Sequence, residues 1–104
     1  MGDSRILRQE VVWLKEGRFE ARITILEVTR SEKFPDGLKV KCVLIDSEKG
    51  VPLVLLDNHA PHGYHLHSRL PNDKKFRVSL DIQNYEDAII LFMKEVRKVA
   101  DNDE

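Results

Sequence analysis

Strict alternation runs through the stretch Phe19-Glu20-Ala21-Arg22-Ile23-Thr24-Ile25. Every second side chain in it is apolar, and the side chains between them are charged or polar. Because successive side chains of a β-strand point to opposite faces, this pattern gives one apolar face and one solvated face. The stretch therefore predicts a half-buried strand of an antiparallel sheet.

Further strands are predicted on both sides of this stretch. Residues 5–14 are rich in branched and aromatic side chains, and the following Lys15-Glu16-Gly17-Arg18 has the composition of a hairpin turn, in which Gly17 can adopt a positive φ. Downstream, Pro35-Asp36-Gly37 and Ser47-Glu48-Lys49-Gly50 also have turn composition. The alternating or apolar segments between and after these turns predict strands over residues 38–44, 51–56 and 76–82.

The last part of the chain has helical periodicity. Asn84 has the side chain of an N-cap, and Glu86 and Asp87 would follow it in the first turn. The apolar residues after them recur at helical spacing: Ala88, Ile89, Phe92, Val96 and Val99. We therefore predict an α+β fold, mainly an antiparallel sheet of about five strands, with a C-terminal amphipathic helix packed on one face.

Length and cysteine content limit the classes of protein. A chain of 104 residues is expected to form a single domain over residues 1–104, with an ordered core at about 5–99 and an acidic tail at 101–104. The single cysteine, Cys42, excludes an intrachain disulfide and a multi-cysteine zinc site, and its phase in the third strand predicts a core position. Trp13 is also expected in the core. One thiol fits a reducing, cytoplasmic setting.

Charge and hydropathy argue against a membrane protein. The longest apolar run, Ala88 to Met93, has six residues, whereas a membrane helix needs about 20. No hydrophobic stretch follows the N-terminal charges, so secretion is not expected.

The net charge is -1, but residues 1–80 hold 14 Lys+Arg against 11 Asp+Glu, whereas residues 81–104 hold 3 against 7. A polyanionic partner is therefore expected to bind the first part of the chain.

All four histidines lie within nine residues, in the segment Asp57-Asn58-His59-Ala60-Pro61-His62-Gly63-Tyr64-His65-Leu66-His67-Ser68-Arg69. Residues 57–73 break the strand periodicity directly after a buried strand, so the sequence predicts a long loop that begins at rigid backbone. Imidazole titrates near pH ~6.5, so one histidine can donate a proton while another accepts one at neutral pH. This segment is the clearest functional signal in the sequence.

The first interpretation of this segment is general acid–base chemistry. In an extended backbone His65 and His67 point to the same side. One imidazole would activate a ribose 2′-hydroxyl and the other would protonate the leaving oxygen of a phosphodiester, with no metal or other cofactor. Tyr64 is a candidate for stacking on a base. Four cations further along the chain would hold the phosphate: Arg69, Lys74, Lys75 and Arg77.

Two other interpretations remain open. The segment can be a divalent metal site formed by His65 and His67 with His59 or Asp57, since the i, i+2 spacing on a strand offers two ligands. It can also be a solvated polar loop without a site. The roles of Asp57 and Asn58 are open in the same way. Their side chains either orient an imidazole, or bond to nearby backbone and end the strand.

The order of the predicted strands, turns, motifs and helix along the chain resembles that of the TumE-type toxins of prokaryotic toxin–antitoxin systems. The resemblance covers roughly residues 5–99 and includes the Pro-Asp-Gly-Leu-Lys turn at 35–39, the basic strand and the final helix. Its most specific part is Leu55-Leu56-Asp57-Asn58, followed by His65-Leu66-His67. Within it, Leu56 stands where the family usually carries an aromatic residue.

The resemblance implies a small cytoplasmic toxin, encoded beside a helix-turn-helix antitoxin that binds and neutralises it. It marks Asp57, Asn58, His65 and His67 as functional residues and leaves the target open. RNA cleavage by a metal-independent ribonuclease reaction is inferred separately, from the paired imidazoles and the nearby cations. The alternative function is a non-catalytic binding module whose histidine-rich loop holds a metal or a partner.

Overall fold

Six strands and one helix make up the fold in the computed structural model, which describes residues 4–59 and 63–102. They are β1 (Arg5–Leu14), β2 (Phe19–Glu27), β3 (Leu38–Asp46), β4 (Val51–Asp57), β5 (His65–His67), β6 (Val78–Ser79) and α1 (Tyr85–Asp101). The strands form one antiparallel sheet in which each strand pairs with its neighbour along the chain. The predicted α+β fold, an antiparallel sheet with a C-terminal helix packed on one face, is confirmed.

The turn between β1 and β2 is built from residues with positive φ. Lys15, Glu16 and Gly17 have φ values of 51°, 56° and 89°. The N–H of Gly17 donates to the carbonyl of Leu14 at 3.2 Å, and the N–H of Arg18 donates to the carbonyl of Lys15 at 3.1 Å. Glycine adopts left-handed backbone at least cost, and Gly17 has the largest φ of the three. The predicted hairpin turn is therefore present.

The turn before β3 also requires a glycine. Gly37 has a φ of 71°, and a Cβ atom there would lie 3.1 Å from the carbonyl oxygen of Val28. The N–H of Val28 donates to the Gly37 carbonyl at 2.9 Å, so the two chains on either side of the turn are held together. Both the backbone conformation and the available space therefore disfavour a side chain at this position.

The hydrophobic core lies between the sheet and α1. The residues that alternation predicts as the apolar face of β2 are each at most 2% exposed: Phe19, Ala21, Ile23 and Ile25. The strand register continues this face from Ile23 of β2 across the next three strands, where the aligned side chains are also buried: Cys42, Leu56 and Leu66. Burial raises the pKa of the Cys42 thiol to about 12, so this cysteine is a core residue and not a nucleophile at neutral pH.

Helix α1 begins at the predicted N-cap. Oδ1 of Asn84 accepts a hydrogen bond from the N–H of Asp87 at 2.9 Å. The carboxylates of the first turn lie at the positive end of the helix dipole, which stabilises them. Its main contacts are with β2, β3 and β4. The buried residues of α1 are Ala88, Ile89, Phe92, Val96 and Ala100. Within residues 4–59 and 63–102, no helix is long and apolar enough to cross a membrane.

The sheet differs from the prediction at its β5 end. Residues 65–67 pair with β4, although the sequence predicts a loop over residues 57–73. Three residues are too few for a periodic pattern to distinguish a strand. The strand predicted over residues 76–82 is reduced to Val78–Ser79. Phe76 lies outside it, beneath the guanidinium of Arg69, whose Cζ is 3.7 Å from the ring centroid.

Strand β1 is more exposed than its composition predicts. Trp13, expected in the core, is 59% exposed, and Ile6 and Val11 are exposed as well. The reason is geometric, because a helix is about 10 Å wide and strands lie about 4.8 Å apart. One helix therefore covers about three strands, and α1 lies over β2 to β4.

Candidate functional site

Two predicted functional residues meet where β4 pairs with β5. Asp57 ends β4, His65 begins β5, and the register places them directly opposite each other. Opposed Cβ atoms in an antiparallel pair lie about 5 Å apart, so the carboxylate reaches the ring. Oδ1 of Asp57 lies 2.8 Å from Nε2 of His65. Their neighbours Leu56 and Leu66 belong to the core, so Asp57 and His65 lie on the face opposite α1.

His65 is buried, with only 1% of its surface exposed. Its Nδ1 lies 2.8 Å from the carbonyl oxygen of Gly63, and because a carbonyl can only accept, Nδ1 must carry a hydrogen. Nε2 then faces the Asp57 carboxyl group at hydrogen-bond distance. The contacts at both ring nitrogens therefore hold the imidazole in one orientation.

Two further imidazoles flank His65. The ring of His59 lies edge-on to it with centroids 5.4 Å apart, and the ring of His67 lies edge-on at 5.1 Å. Nδ1 of His59 is 3.2 Å from the same Asp57 oxygen, and the His59 side chain is 42% exposed. Nδ1 of His67 is buried with no hydrogen-bond partner among the described residues. We call Asp57, His59, His65 and His67 the histidine cluster; His62 lies outside the described residues.

Asn58 anchors the backbone beside this cluster. Its Nδ2 donates to the carbonyl of Leu38 at 2.9 Å, and its Oδ1 accepts from the N–H of Val40 at 2.9 Å. The side chain thereby continues the pairing with β3 beyond the end of β4. Of the two residues predicted to orient an imidazole, Asp57 contacts the rings, whereas both polar atoms of the Asn58 side chain bond to the β3 backbone.

A cavity of about 230 Å³ opens beside Asp57 and His59. Lys39 and Lys41 line it together with Phe34, and Lys41 is opposite Asp57 in the register of β3 and β4. The sequence shows these lysines as the polar half of an alternating strand. Their position beside the carboxylate depends on the strand register, which no local motif reveals.

The cations predicted to hold a phosphate are placed elsewhere. Lys74, Lys75 and Arg77 are exposed in the connection between β5 and β6, and they do not line the cavity beside Asp57. Arg69 lines a different pocket together with residues of α1. Proximity in sequence therefore does not bring these four cations to the cavity, which has its own two lysines.

Tyr64, the candidate for base stacking, contacts the hydrophobic core. Its ring packs against the hydrophobic core and is partly buried, and its carbonyl accepts a hydrogen bond from the N–H of Leu80 at 2.9 Å. Burial raises the pKa of its hydroxyl. A ring that packs on the core supports the β5 end of the sheet, so we assign Tyr64 no role as a stacking platform.

Part of the histidine cluster has the spacing of a metal site. One ligand atom from each of Asp57, His59 and His65 lies within 4.8 Å of the other two. Carboxylate oxygen and imidazole nitrogen are both zinc ligands. Of the predicted ligand set, His59 and His65 are brought together with Asp57, whereas this group of described residues does not contain His67.

The histidine cluster thus places three imidazoles and one carboxylate on the face of the sheet opposite α1. Burying polar groups costs stability unless they are bonded, and Asp57 Oδ1 lies within hydrogen-bond distance of two of the rings.

Comparison with protein-family models, with curated proteins and with solved structures finds no match to the chain.

Proposed function

We propose that this chain is the cytoplasmic toxin of a toxin–antitoxin pair and that it cleaves RNA at the histidine cluster. The observation that carries the proposal is the buried Asp57–His65 pair with two more imidazoles edge-on to it. A buried carboxyl–imidazole pair stabilises a fold no better than apolar side chains of similar volume. Its presence is therefore better explained by proton transfer than by packing.

The resemblance to TumE-type toxins supports the same proposal. Asp57 and His65, from the two motifs that carry the resemblance, are in direct contact, and His67 lies edge-on to His65. The partner implied by the resemblance is a helix-turn-helix antitoxin encoded nearby. Co-purification of the adjacent gene product with this chain tests that part of the proposal without any assumption about chemistry.

The proposed reaction moves two protons. His67 takes the proton of a ribose 2′-hydroxyl, the 2′ oxygen bonds to phosphorus, and the bond from phosphorus to the 5′ oxygen breaks. His59, oriented by Asp57, gives a proton to the leaving 5′ oxygen. The products are a 2′,3′-cyclic phosphate and a 5′-hydroxyl, so the reaction balances without a metal or another cofactor.

His65 acts in this scheme as a positioning residue. It is 1% exposed and bonded through both ring nitrogens, so a substrate reaches the rings on either side of it first. Lys39 and Lys41 hold the phosphate from the adjoining cavity, where their charges stabilise the negative transition state. The pairing of His65 with His67 as acid and base stays a prediction from the sequence.

The experiment is cleavage of a fluorescent single-stranded RNA by the purified chain across pH. We expect a rate maximum between about pH 5.5 and 8 that survives chelator, and a loss of about 100-fold or more in His67→Ala. Asn72→Ala, an exposed polar residue between β5 and β6, is the matched control and keeps the wild-type rate. Absence of both RNA cleavage and growth inhibition by the wild-type chain contradicts the proposal.

Paired lysine variants identify the cations that hold the phosphate. The double variant Lys39→Ala/Lys41→Ala removes both cavity lysines, and Lys74→Ala/Lys75→Ala removes the same charge from the exposed connection. We expect the first to raise KM about tenfold or more and the second to change it little. The opposite result would return the phosphate site to the residues that the sequence suggested.

A second function is favoured by the spacing of Asp57, His59 and His65, whose ligand atoms lie within 4.8 Å. In a non-catalytic binding module these residues would hold a divalent metal. Such binding requires neutral imidazoles, so it weakens on acidification below about pH 6. Stoichiometric zinc binding that is lost in Asp57→Asn, with a chelator-sensitive melting temperature, would favour this function; insensitivity to both zinc and chelator excludes it.

A further inference from the structure

A second pocket lies on the opposite face of the sheet from the histidine cluster. It has a volume of about 360 Å³ and is enclosed by α1, the end of β5 and the segment that leads into β6. This volume is within the range of small-molecule sites. Its lining divides into an apolar set, Leu66, Phe76, Val78, Leu80 and Leu91, and a polar set, Ser68, Arg69, Lys94, Glu95 and Lys98.

The polar set is cationic. Arg69, Lys94 and Lys98 carry three positive charges, and Glu95 carries one negative charge, with its Oε1 3.3 Å from Nζ of Lys98. Lys94 and Lys98 are four residues apart on α1, so both project from the same side of the helix, at the pocket. The pocket therefore keeps a net positive charge beside an apolar floor, a combination that suits an anionic ligand with an apolar body.

One wall of the pocket is a stacked pair of planar groups. The guanidinium of Arg69 lies over the ring of Phe76, with Cζ 3.7 Å from the centroid. The wall is held by Asp73, whose N–H donates to the carbonyl of Arg69 at 2.8 Å and whose Oδ1 accepts from the N–H of Phe76 at 3.1 Å. These bonds hold the backbone of both residues, and the guanidinium, stacked on the Phe76 ring, offers a flat cationic surface on which an aromatic ring can stack.

We propose that this pocket binds a nucleotide. The base packs against the apolar floor and the Arg69–Phe76 stack, and the phosphate lies between Lys94 and Lys98. A nucleotide joins a planar ring to an anion, and therefore uses both halves of the lining. An acidic peptide would use the cations but leave the apolar floor exposed to water.

Two sources of this ligand chemistry are open, a free nucleotide and one residue of an RNA strand. Binding of an RNA strand rests on the proposed function. Arg69 follows His67 by two residues, so the pocket and the histidine cluster lie close together along the chain. An RNA strand cleaved at the cluster would pass around the end of the sheet formed by the short strands β5 and β6 to reach the pocket. The free nucleotide requires no such path.

The experiment is methyl NMR of the full chain titrated with uridine 5′-monophosphate and, separately, with a 2′-O-methyl uridine tetranucleotide that cannot be cleaved. We expect shifts in the methyl groups of Leu66, Leu80 and Leu91 with both probes, and tighter binding of the tetranucleotide if RNA is the source. The double variant Lys94→Gln/Lys98→Gln should bind about tenfold or more weakly. Its matched control, Lys33→Gln/Lys49→Gln, removes two exposed lysines elsewhere and should bind normally.

Phe76→Leu provides a second test, since it keeps an apolar side chain but removes the ring beneath Arg69. We expect weaker binding of the tetranucleotide with an unchanged melting temperature. Equal affinity in wild type and both pocket variants would overturn the proposal, as would shifts that map to other methyl groups. An oligoglutamate peptide that moves the same methyl groups with affinity equal to the tetranucleotide would also overturn it.

Failure of the proposed function is distinguishable from failure of this inference. If the chain binds the tetranucleotide at these methyl groups but cleaves no RNA, the nucleotide pocket stands and the ribonuclease does not. If the chain cleaves RNA and the pocket variants keep the wild-type KM, the ribonuclease stands and the pocket does not bind the substrate.

Discussion

The two ends of the sheet are held together differently. At one end, β1, β2 and β3 have 10, 9 and 9 residues and pair over most of their length. At the other end, β5 and β6 have three and two residues, so few backbone hydrogen bonds are available there. A side-chain contact from Asp57 to His65 adds a link between β4 and β5, and Asn58 extends the pairing of β4 with β3. The side chains of the candidate site therefore lie where few backbone hydrogen bonds hold the sheet.

The largest expected effect is at the long-strand end, where apolar burial dominates. Leu44 is fully buried in β3, and Leu44→Ala is expected to lower the free energy of unfolding by about 2–5 kcal/mol, because it leaves a cavity. Leu7→Ala removes the same atoms from a residue that is 39% exposed, and should cost much less. Urea denaturation measures both; equal losses would show that β1 is covered in solution.

A smaller effect is expected where Asn58 extends the pairing of β4 with β3, because hydrogen bonds are lost there instead of apolar burial. Asn58→Ala leaves the N–H of Val40 and the carbonyl of Leu38 without their side-chain partner, which should cost about 1–3 kcal/mol. Asn58→Asp keeps the acceptor for Val40 but places a carboxylate oxygen against the Leu38 carbonyl oxygen, so its loss should be at least as large. Amide hydrogen exchange at Val40 reports the bond directly. Unchanged protection in Asn58→Ala would refute the anchoring role.

The smallest effect is a pH dependence at the turn between β3 and β4. Asp46 is 3% exposed; burial alone would raise its pKa, but the hydrogen bond from the N–H of Lys49 and the contact with Arg18 outweigh burial, so the pKa is lowered. Stability from a lowered carboxyl pKa is present above the unfolded value of about 3.9 and is lost as pH falls through the folded value. Urea midpoints of the wild type should therefore decline below about pH 4.

Two variants isolate the contribution of Asp46 to this decline. Asp46→Asn should be less stable than wild type near pH ~7 and should lose less on acidification, because it has no carboxylate to protonate. Asp36→Asn, at an exposed position in the preceding turn, should follow the wild-type curve. Parallel curves for wild type and Asp46→Asn would show that the turn does not depend on the charge of this carboxylate.

The sequence predicts the long-strand end better than the short one, for physical reasons. Alternation at Phe19 to Ile25 and the N-cap at Asn84 are local patterns, and the structure confirms both. Trp13 was wrongly expected in the core because local composition does not reveal how many strands one helix covers. The lysines beside Asp57 depend on register across β3 and β4, which is a non-local property.

For the histidine cluster too, the sequence predicts the local feature but not the non-local one. Clustering and i, i+2 spacing predict that His65 and His67 lie close together, and their centroids are 5.1 Å apart. The sequence does not show that His65 is buried, since burial depends on how the chain packs around the ring. Truncation of this buried ring in His65→Ala would remove the partner of Asp57.

The neighbour-to-neighbour order of the strands has a consequence for folding speed. Each strand pairs with the next one along the chain, so each pairing closes a chain segment whose ends are near in sequence. Docking of α1 on β2 joins segments at opposite ends of the chain and must close a far longer loop. Local pairings favour rapid folding, so we expect hairpins to form early and helix docking to limit the folding rate. Substitutions in α1 should then slow folding more than substitutions in the β1–β2 turn.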